Sequence, residues 1–116
     1  DLYIMDLTTG TTKNLENVNS SDVDSYHTWS SSGHWFVFSS KRMDGLWARP
    51  YIAAFNPETG ETGKAFLLPQ KDPMFYDNYT YTYNRPELIK TAVKNGKEFE
   101  KIIQQAAIPS TPKKIR

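Results

Sequence analysis

The chain of 116 residues contains no cysteine. This absence excludes disulfide bonds, thiolate nucleophiles and cysteine-ligated metal sites, although it leaves the cellular compartment open. Long hydrophobic runs are also missing, since no apolar stretch approaches the ~20 residues that a helix needs to span a bilayer. The sequence therefore predicts neither thiol chemistry nor a membrane span.

An excess of charge of either sign is absent too. The 14 lysines and arginines stand against 13 aspartates and glutamates, so the formal net charge is +1, and no broad field favours nucleic acid or a membrane surface. Mean hydropathy is low, at -0.64, but the aromatic content of 14% argues against disorder. Tyrosine and tryptophan suit half-buried sheet surfaces, so the composition favours one small, aromatic-rich β domain.

Three segments have the apolar patterning of β-strands. Residues 2–7, 35–40 and 51–55 are expected to be central antiparallel strands. Glycines in the neighbouring segments, such as Gly10 and Gly33, are free to take a positive φ and therefore predict tight turns. Residues 16–25 are polar and are expected to form a loop.

Two stretches of the chain repeat one pattern. Each has a Tyr-Ile pair, further strand residues, a turn that ends in Thr-Gly and a short return strand, and the pairs start at 3 and 51, an offset of 48 (51 − 3). A repeat of about 40–50 residues built from four short strands is typical of a propeller blade. We therefore expect an all-β, antiparallel fold of about one and a half propeller blades over residues 1–69, as the C-terminal part of a longer chain.

The remaining residues differ in character from the repeat. Residues 70–94 are rich in tyrosine and proline, and we expect an extended tail whose tyrosines pack it onto the sheet. Residues 95–107 have an apolar stripe with helical spacing, which predicts a short helix. The alternative for this segment is a hairpin that turns at Asn95-Gly96. Residues 108–116 are expected to be a disordered tail.

The stretch "YHTWSSSGHWFVFSSKR" at 26–42 resembles the repeat of the TolB-like, WD-like β-propeller family, whose motif runs roughly P-x-W-S-P-D-G-x-x-I-A-F-x-S-x-R. The matching positions are Trp29, Ser30, Gly33, Phe36, Phe38, Ser40 and Arg42. The chain departs from the motif at His27 and at Ser31-Ser32, and its connection at 41–50 is longer. The overall character of the sequence, including its proline- and tyrosine-rich tail, is similar to that of TolB-like proteins of Bacteroidetes-type bacteria.

This resemblance implies a function and a location. It implies a non-catalytic scaffold that binds a protein or another ligand at the bacterial cell envelope, in a periplasmic or exported protein. It also implies that Trp29 and Trp35 pack between blades. Since one and a half blades cannot close a ring, the expected partners include the remainder of the same propeller or a second copy of the chain.

The connection between the second and third predicted strands is the candidate contact site. It carries three apolar residues and a guanidinium, a mixture common where proteins bind each other. The predicted contact residues are Trp47, Arg49, Met43 and Leu46.

No catalytic, cofactor or metal site is predicted from the sequence. The serines at 30–32 lack the G-x-S-x-G pattern of an elbow nucleophile, so we expect no enzyme activity and no cofactor. His27 and His34 lack a third ligand at metal spacing, while calcium binding by the 16–25 loop stays open. Two alternatives remain, namely a carbohydrate-binding or carbohydrate-processing propeller, and the gating propeller of a prolyl-oligopeptidase-type hydrolase.

Overall fold

A computed structural model describes residues 1–92 and 96–107 of the chain. The described residues form seven short strands and one helix. The elements are β1 (Tyr3–Met5), β2 (Thr12–Asn14), β3 (Asp24–Trp29), β4 (Trp35–Ser40), β5 (Arg49–Asn56), β6 (Glu61–Thr62), β7 (Phe66–Leu67) and α1 (Gly96–Ala107). The fold is thus mostly antiparallel β with one short helix, as the sequence predicted.

The larger sheet is an antiparallel meander with β4 and β5 at its centre. β3 pairs with β4, and β4 pairs with β5 along its whole length, from Trp35 opposite Ala54 to Ser40 opposite Arg49. β6 and β7 both pair with β5, at its two ends. They are therefore two pieces of one interrupted edge strand. Within the described residues neither sheet closes on itself.

The prediction that residues 2–7 form a central strand is wrong. β1 covers only Tyr3–Met5 and pairs with β2 alone, in a separate two-stranded sheet. A chain of alternating apolar residues indicates that both faces of a strand can be covered, but it carries no information on how many neighbours the strand has. The predictions for 35–40 and 51–55 are confirmed by β4 and β5.

The internal repeat is visible in two turns with the same hydrogen bonds. The side chain of Asp6 accepts from the backbone of Thr8 at 2.8 Å, and that of Asn56 accepts from the backbone of Glu58 at 2.9 Å. Each turn closes on a glycine with φ near +70°, Gly10 or Gly60. The turns are offset by 50 residues (56 − 6), two more than the Tyr-Ile pairs, because the strand between pair and turn is longer in the second copy.

The core lies between the β1–β2 hairpin and one face of the larger sheet. Alternation along β4 places Phe36 and Phe38 on this face, and both are buried. Leu2 and Leu15 of the hairpin region complete the core with Val18. The two sheets are therefore held together by a continuous apolar layer.

Two tryptophans that were expected in the core are partly exposed. The ring of Trp29 packs against Phe36 and Phe55, with both centroids at 4.9 Å, but 37% of the residue is exposed. Trp35 lies at the start of β4 on the opposite face, and 42% of it is exposed. Neither residue is enclosed between two layers in the described part of the chain.

Part of the tail lies against that opposite face, where Ser39 donates to the carbonyl of Tyr83, but the tail is less extended than predicted. The backbone forms successive turns at 72–79, with Phe75 donating to Asp72 and Asp77 donating to Met74. Tyr76 is buried, and its hydroxyl donates to the carbonyl of Leu68 at 2.6 Å. The expectation that the tyrosines pack the tail is met by Tyr76, whereas Tyr81 is exposed.

Helix α1 replaces the hairpin alternative at Asn95-Gly96, since residues 96–107 are helical. Ile102 and Ile103 of its apolar stripe are exposed. No helix in the described ranges is long and apolar enough to cross a bilayer. The prediction for 108–116 lies outside the described residues.

Candidate functional site

The connection from Lys41 to Ala48 is a compact turn between β4 and β5. The backbone N–H of Gly45 donates to the carbonyl of Lys41 at 2.7 Å, and Gly45 has a φ of +72° that favours glycine. The carboxylate of Asp44 accepts from the N–H groups of Leu46 at 2.8 Å and Trp47 at 2.9 Å. These hydrogen bonds hold the pKa of Asp44 below its ordinary value. The turn is thus ordered by hydrogen bonds between its own backbone groups and the side chain of Asp44.

Three of the four predicted contact residues are exposed on this turn. Leu46 is the most exposed, at 69%, and Met43 and Trp47 are also exposed in part. Apolar side chains on an ordered turn present a surface whose conformational entropy is already reduced before binding. We call Met43, Leu46 and Trp47 the 41–48 surface.

Neighbouring residues extend the 41–48 surface toward β3. The backbone N–H of Lys41 donates to the carbonyl of Val23 at 3.1 Å, which places the two loops side by side. Val23 and Tyr26 are both exposed. Tyr26 has a φ of 55° in the irregular part of β3 between Ser25 and Thr28, and the Arg85 guanidinium lies 5.3 Å from its ring centroid. Sequence patterning contained no signal for this bulge, which turns an aromatic side chain outward.

Arg49 does not belong to this surface, so its prediction as a partner contact is corrected. Only 2% of Arg49 is exposed. Its guanidinium donates to three backbone carbonyls of the tail, those of Tyr76 at 3.0 Å, Tyr79 at 2.5 Å and Tyr81 at 2.6 Å. The charge that was expected to meet a partner therefore holds the tail against β5.

Arg42 and Asp24 form a second polar group, in which the Asp24 side chain is fully buried and that of Arg42 is 20% exposed. Asp24 is the first residue of β3, so the loop that was predicted over 16–25 ends before it. The Arg42 guanidinium donates to the carboxylate of Asp24 at 2.7 Å and to the carbonyl of Val18 at 2.6 Å. Ser20 donates to the other carboxylate oxygen, and Arg42 also donates to the hydroxyl of Ser40. Ser40 and Arg42 of the family-like motif thus hold the loop to the sheet, and the Asp24 carboxylate is already occupied by protein donors.

Replacing Asp24 with asparagine is expected to lower the free energy of unfolding by about 2 kcal/mol at neutral pH, because charged hydrogen bonds are lost. Burial alone would raise the pKa of Asp24, but hydrogen bonds from Ser40, Arg42 and Ser20 outweigh it and hold the pKa below its ordinary value of 3.8. The contribution of Asp24 to stability is therefore complete above that ordinary value and is lost as the pH falls through the lower, folded pKa. The comparison uses urea unfolding between neutral and acid pH.

Asp77→Asn is the control for this prediction, because Asp77 is exposed. The control should follow the wild-type pH dependence. An Asp24→Asn protein as stable as wild type at neutral pH would contradict the prediction.

The serine cluster forms and caps the turn between β3 and β4. The hydroxyl of Ser30 accepts from the backbone of Trp35 at 3.3 Å and lies 3.0 Å from that of Ser32, while Gly33 has a φ of +73°. These bonds are turn caps of the kind expected from hydroxyl residues. In residues 1–92 and 96–107, no group of three or more histidine or acidic side chains is arranged to hold a metal ion.

Comparisons with known proteins find no match to this chain among protein-family models, curated proteins or solved structures.

Proposed function

We propose that this chain is a non-catalytic β-propeller segment of the TolB-like kind, which binds a protein at the bacterial cell envelope through the 41–48 surface. The envelope location and the family rest on the resemblance of residues 26–42. In this proposal, residues 24–67 are one blade, the β1–β2 hairpin belongs to the preceding blade, and the protein is periplasmic or exported.

The observation that carries the proposal is the exposure of Met43, Leu46 and Trp47 on an ordered turn. Tryptophan is among the residues that contribute most to binding energy at protein interfaces. Exposed apolar groups that are clustered, rather than scattered singly, are typical of interaction sites. Val23 lies beside the turn and enlarges the same surface.

Two further features support a propeller arrangement. The larger sheet has four antiparallel positions in sequential order, counting β6 and β7 as one. The turns at Asp6 and Asn56 repeat the same capping bonds. In the proposed arrangement a neighbouring blade covers the ring of Trp29 and the apolar side chains of β1, which are exposed here.

The test is a Leu46→Ser, Trp47→Ala double variant in the protein as it occurs in the cell. Envelope proteins cross-linked to wild type are identified, and the dissociation constant of each purified candidate is measured for both proteins. We expect the dissociation constant of the variant to be at least tenfold larger than that of wild type, since hot-spot residues contribute about 2 kcal/mol or more each.

The matched control is an Ile102→Ser, Ile103→Ser variant, which removes two exposed apolar side chains from α1. It should bind as wild type does. If the double variant keeps the same dissociation constant, the 41–48 surface does not bind the partner. If its melting temperature falls as far as a core variant's, the two side chains belong to the core and are not a binding surface.

A further inference from the structure

A cleft at the opposite end of β4 contains an exposed tryptophan and two carboxylates. Its volume is about 590 Å³, and its lining includes Trp35, Ala54, Gly63, Glu58 and Glu61. Five residue steps along β4, roughly 16 Å at the usual strand rise, separate Trp35 from Ser40, where the 41–48 turn begins. We call this site the Trp35 cleft.

Two small residues, Ala54 and Gly63, line the cleft together with Trp35. Trp35 pairs with Ala54 across the sheet, and the N–H of Gly63 donates to the carbonyl of Ala54 at 2.9 Å. A Cβ atom at Gly63 would lie 3.6 Å from the methyl group of Ala54, which is an ordinary contact. The tail covers the other end of this face, where Ser39 donates to the carbonyl of Tyr83 at 2.6 Å. It therefore leaves Trp35 uncovered.

The carboxylates of the cleft form no ion pair with any side chain in the described part of the protein. Arg42–Asp24 is the only ion pair within residues 1–92 and 96–107. Lys13 shares one neighbouring cleft with Glu58 and another with Glu61, yet it forms no ion pair with either residue. The backbone of Glu58 is held by its bond to the Asn56 side chain. The Trp35 cleft, which His34 also lines, thus combines a partly exposed indole with two carboxylates that form no ion pair within the described residues.

These properties select the chemistry of the occupant. A wholly apolar occupant would have to remove water from two carboxylates without pairing them, which is unfavourable. An anion would be repelled. A cation over the tryptophan face is attracted by the ring quadrupole and by the carboxylates together. We propose that the Trp35 cleft binds the cationic side chain of a lysine or arginine that a protein partner presents.

The test follows the indole N–H signal of Trp35 by nuclear magnetic resonance in the full chain. The probes are acetyl-Gly-Lys-Gly-amide and the same peptide with norleucine, which keeps the alkyl stem and removes the charge. We expect the lysine peptide to shift the Trp35 signal saturably at millimolar concentration, and the norleucine peptide to leave it unchanged. Added salt should weaken the binding, since the charges are exposed.

The variant Glu58→Gln, Glu61→Gln should weaken binding of the lysine peptide at least fivefold. The matched control is Glu98→Gln, Glu100→Gln, which removes two exposed charges from α1 and should bind as wild type does. Maltotriose is titrated in parallel. A saturable shift with maltotriose and none with the lysine peptide would assign the cleft to saccharides and overturn the proposal.

Two further outcomes would overturn it. One is an equal shift with the norleucine peptide, which would show an apolar site. The other is a Trp35 signal that shifts with protein concentration but does not shift when either peptide is added, which would show that a second copy covers the cleft. None of these results depends on the 41–48 surface, because the probes are small peptides and the variants leave that turn unchanged.

Discussion

Replacing Arg49 with methionine is expected to lower the free energy of unfolding by about 3–5 kcal/mol and to release the tyrosine-rich tail from β5. Methionine fills a similar volume but donates no hydrogen bond, so the carbonyls of Tyr76, Tyr79 and Tyr81 lose their common donor. An unsatisfied buried carbonyl is unfavourable by about 1–3 kcal/mol. The Arg49 guanidinium also lies 5.6 Å from the ring centroid of Tyr79, and that attraction is lost as well.

The measurement combines urea unfolding with limited proteolysis. In the variant, cleavage should appear within residues 72–84 under conditions in which the wild-type tail is protected. Arg49→Lys is the informative comparison, since it keeps the charge but offers a single nitrogen in place of a planar fork. It should be intermediate in stability. A methionine variant within about 1 kcal/mol of wild type would show that water satisfies the three carbonyls.

Replacing Phe38 with alanine is expected to lower the free energy of unfolding by about 3–5 kcal/mol, the usual range for truncating a buried phenylalanine. Phe38 is fully buried in the centre of β4. Its ring lies between those of Phe36 and Tyr51, with centroids at 5.9 and 6.0 Å, and the Arg42 guanidinium lies 5.4 Å from its own centroid. The truncation therefore leaves a cavity beside the layer that joins the two sheets.

Thermal and urea unfolding measure this effect, with Phe66→Ala as the control. Phe66 belongs to β7 at the edge of the same sheet and is about half exposed. Its truncation should lower the free energy of unfolding by less than about 1.5 kcal/mol, because less apolar area is lost. Equal losses for the two variants would place Phe38 outside the core. A small domain has a total stability of about 5–15 kcal/mol, so the loss expected for Phe38→Ala is a substantial share of it.

Local chemistry was sufficient to predict the turns and the main strands. Gly33 and Gly60 take the positive φ that a tight turn requires, and hydroxyl or amide side chains beside them satisfy the turn backbone. The apolar patterning of 35–40 and 51–55 predicted β4 and β5, because a run of consecutive apolar side chains indicates a strand that is buried on both faces. The helix at 96–107 followed from its spacing in the same way.

The candidate site was predictable only in part. Met43, Leu46 and Trp47 were expected on an exposed connection, and the structure exposes them. Arg49 was expected beside them, but it is buried by the tail, where it donates to three carbonyls that lie 27 to 32 residues away in the chain. An arginine is found at the surface unless partners are supplied, and no local pattern shows that a distant backbone supplies them.

The sequence by itself determined which chemistry is excluded and which segments become strands, turns or helix. The absence of cysteine excludes thiol chemistry. Strand periodicity and glycine turns depend on only a few neighbouring residues, so they can be recognised in the sequence without knowledge of the fold. The tertiary structure alone decided that β1 joins only β2, that Arg49 is enclosed by the tail, and that Trp35 stands uncovered beside Glu58 and Glu61. These outcomes depend on which distant segments cover which faces, and that choice is a property of the whole packed chain.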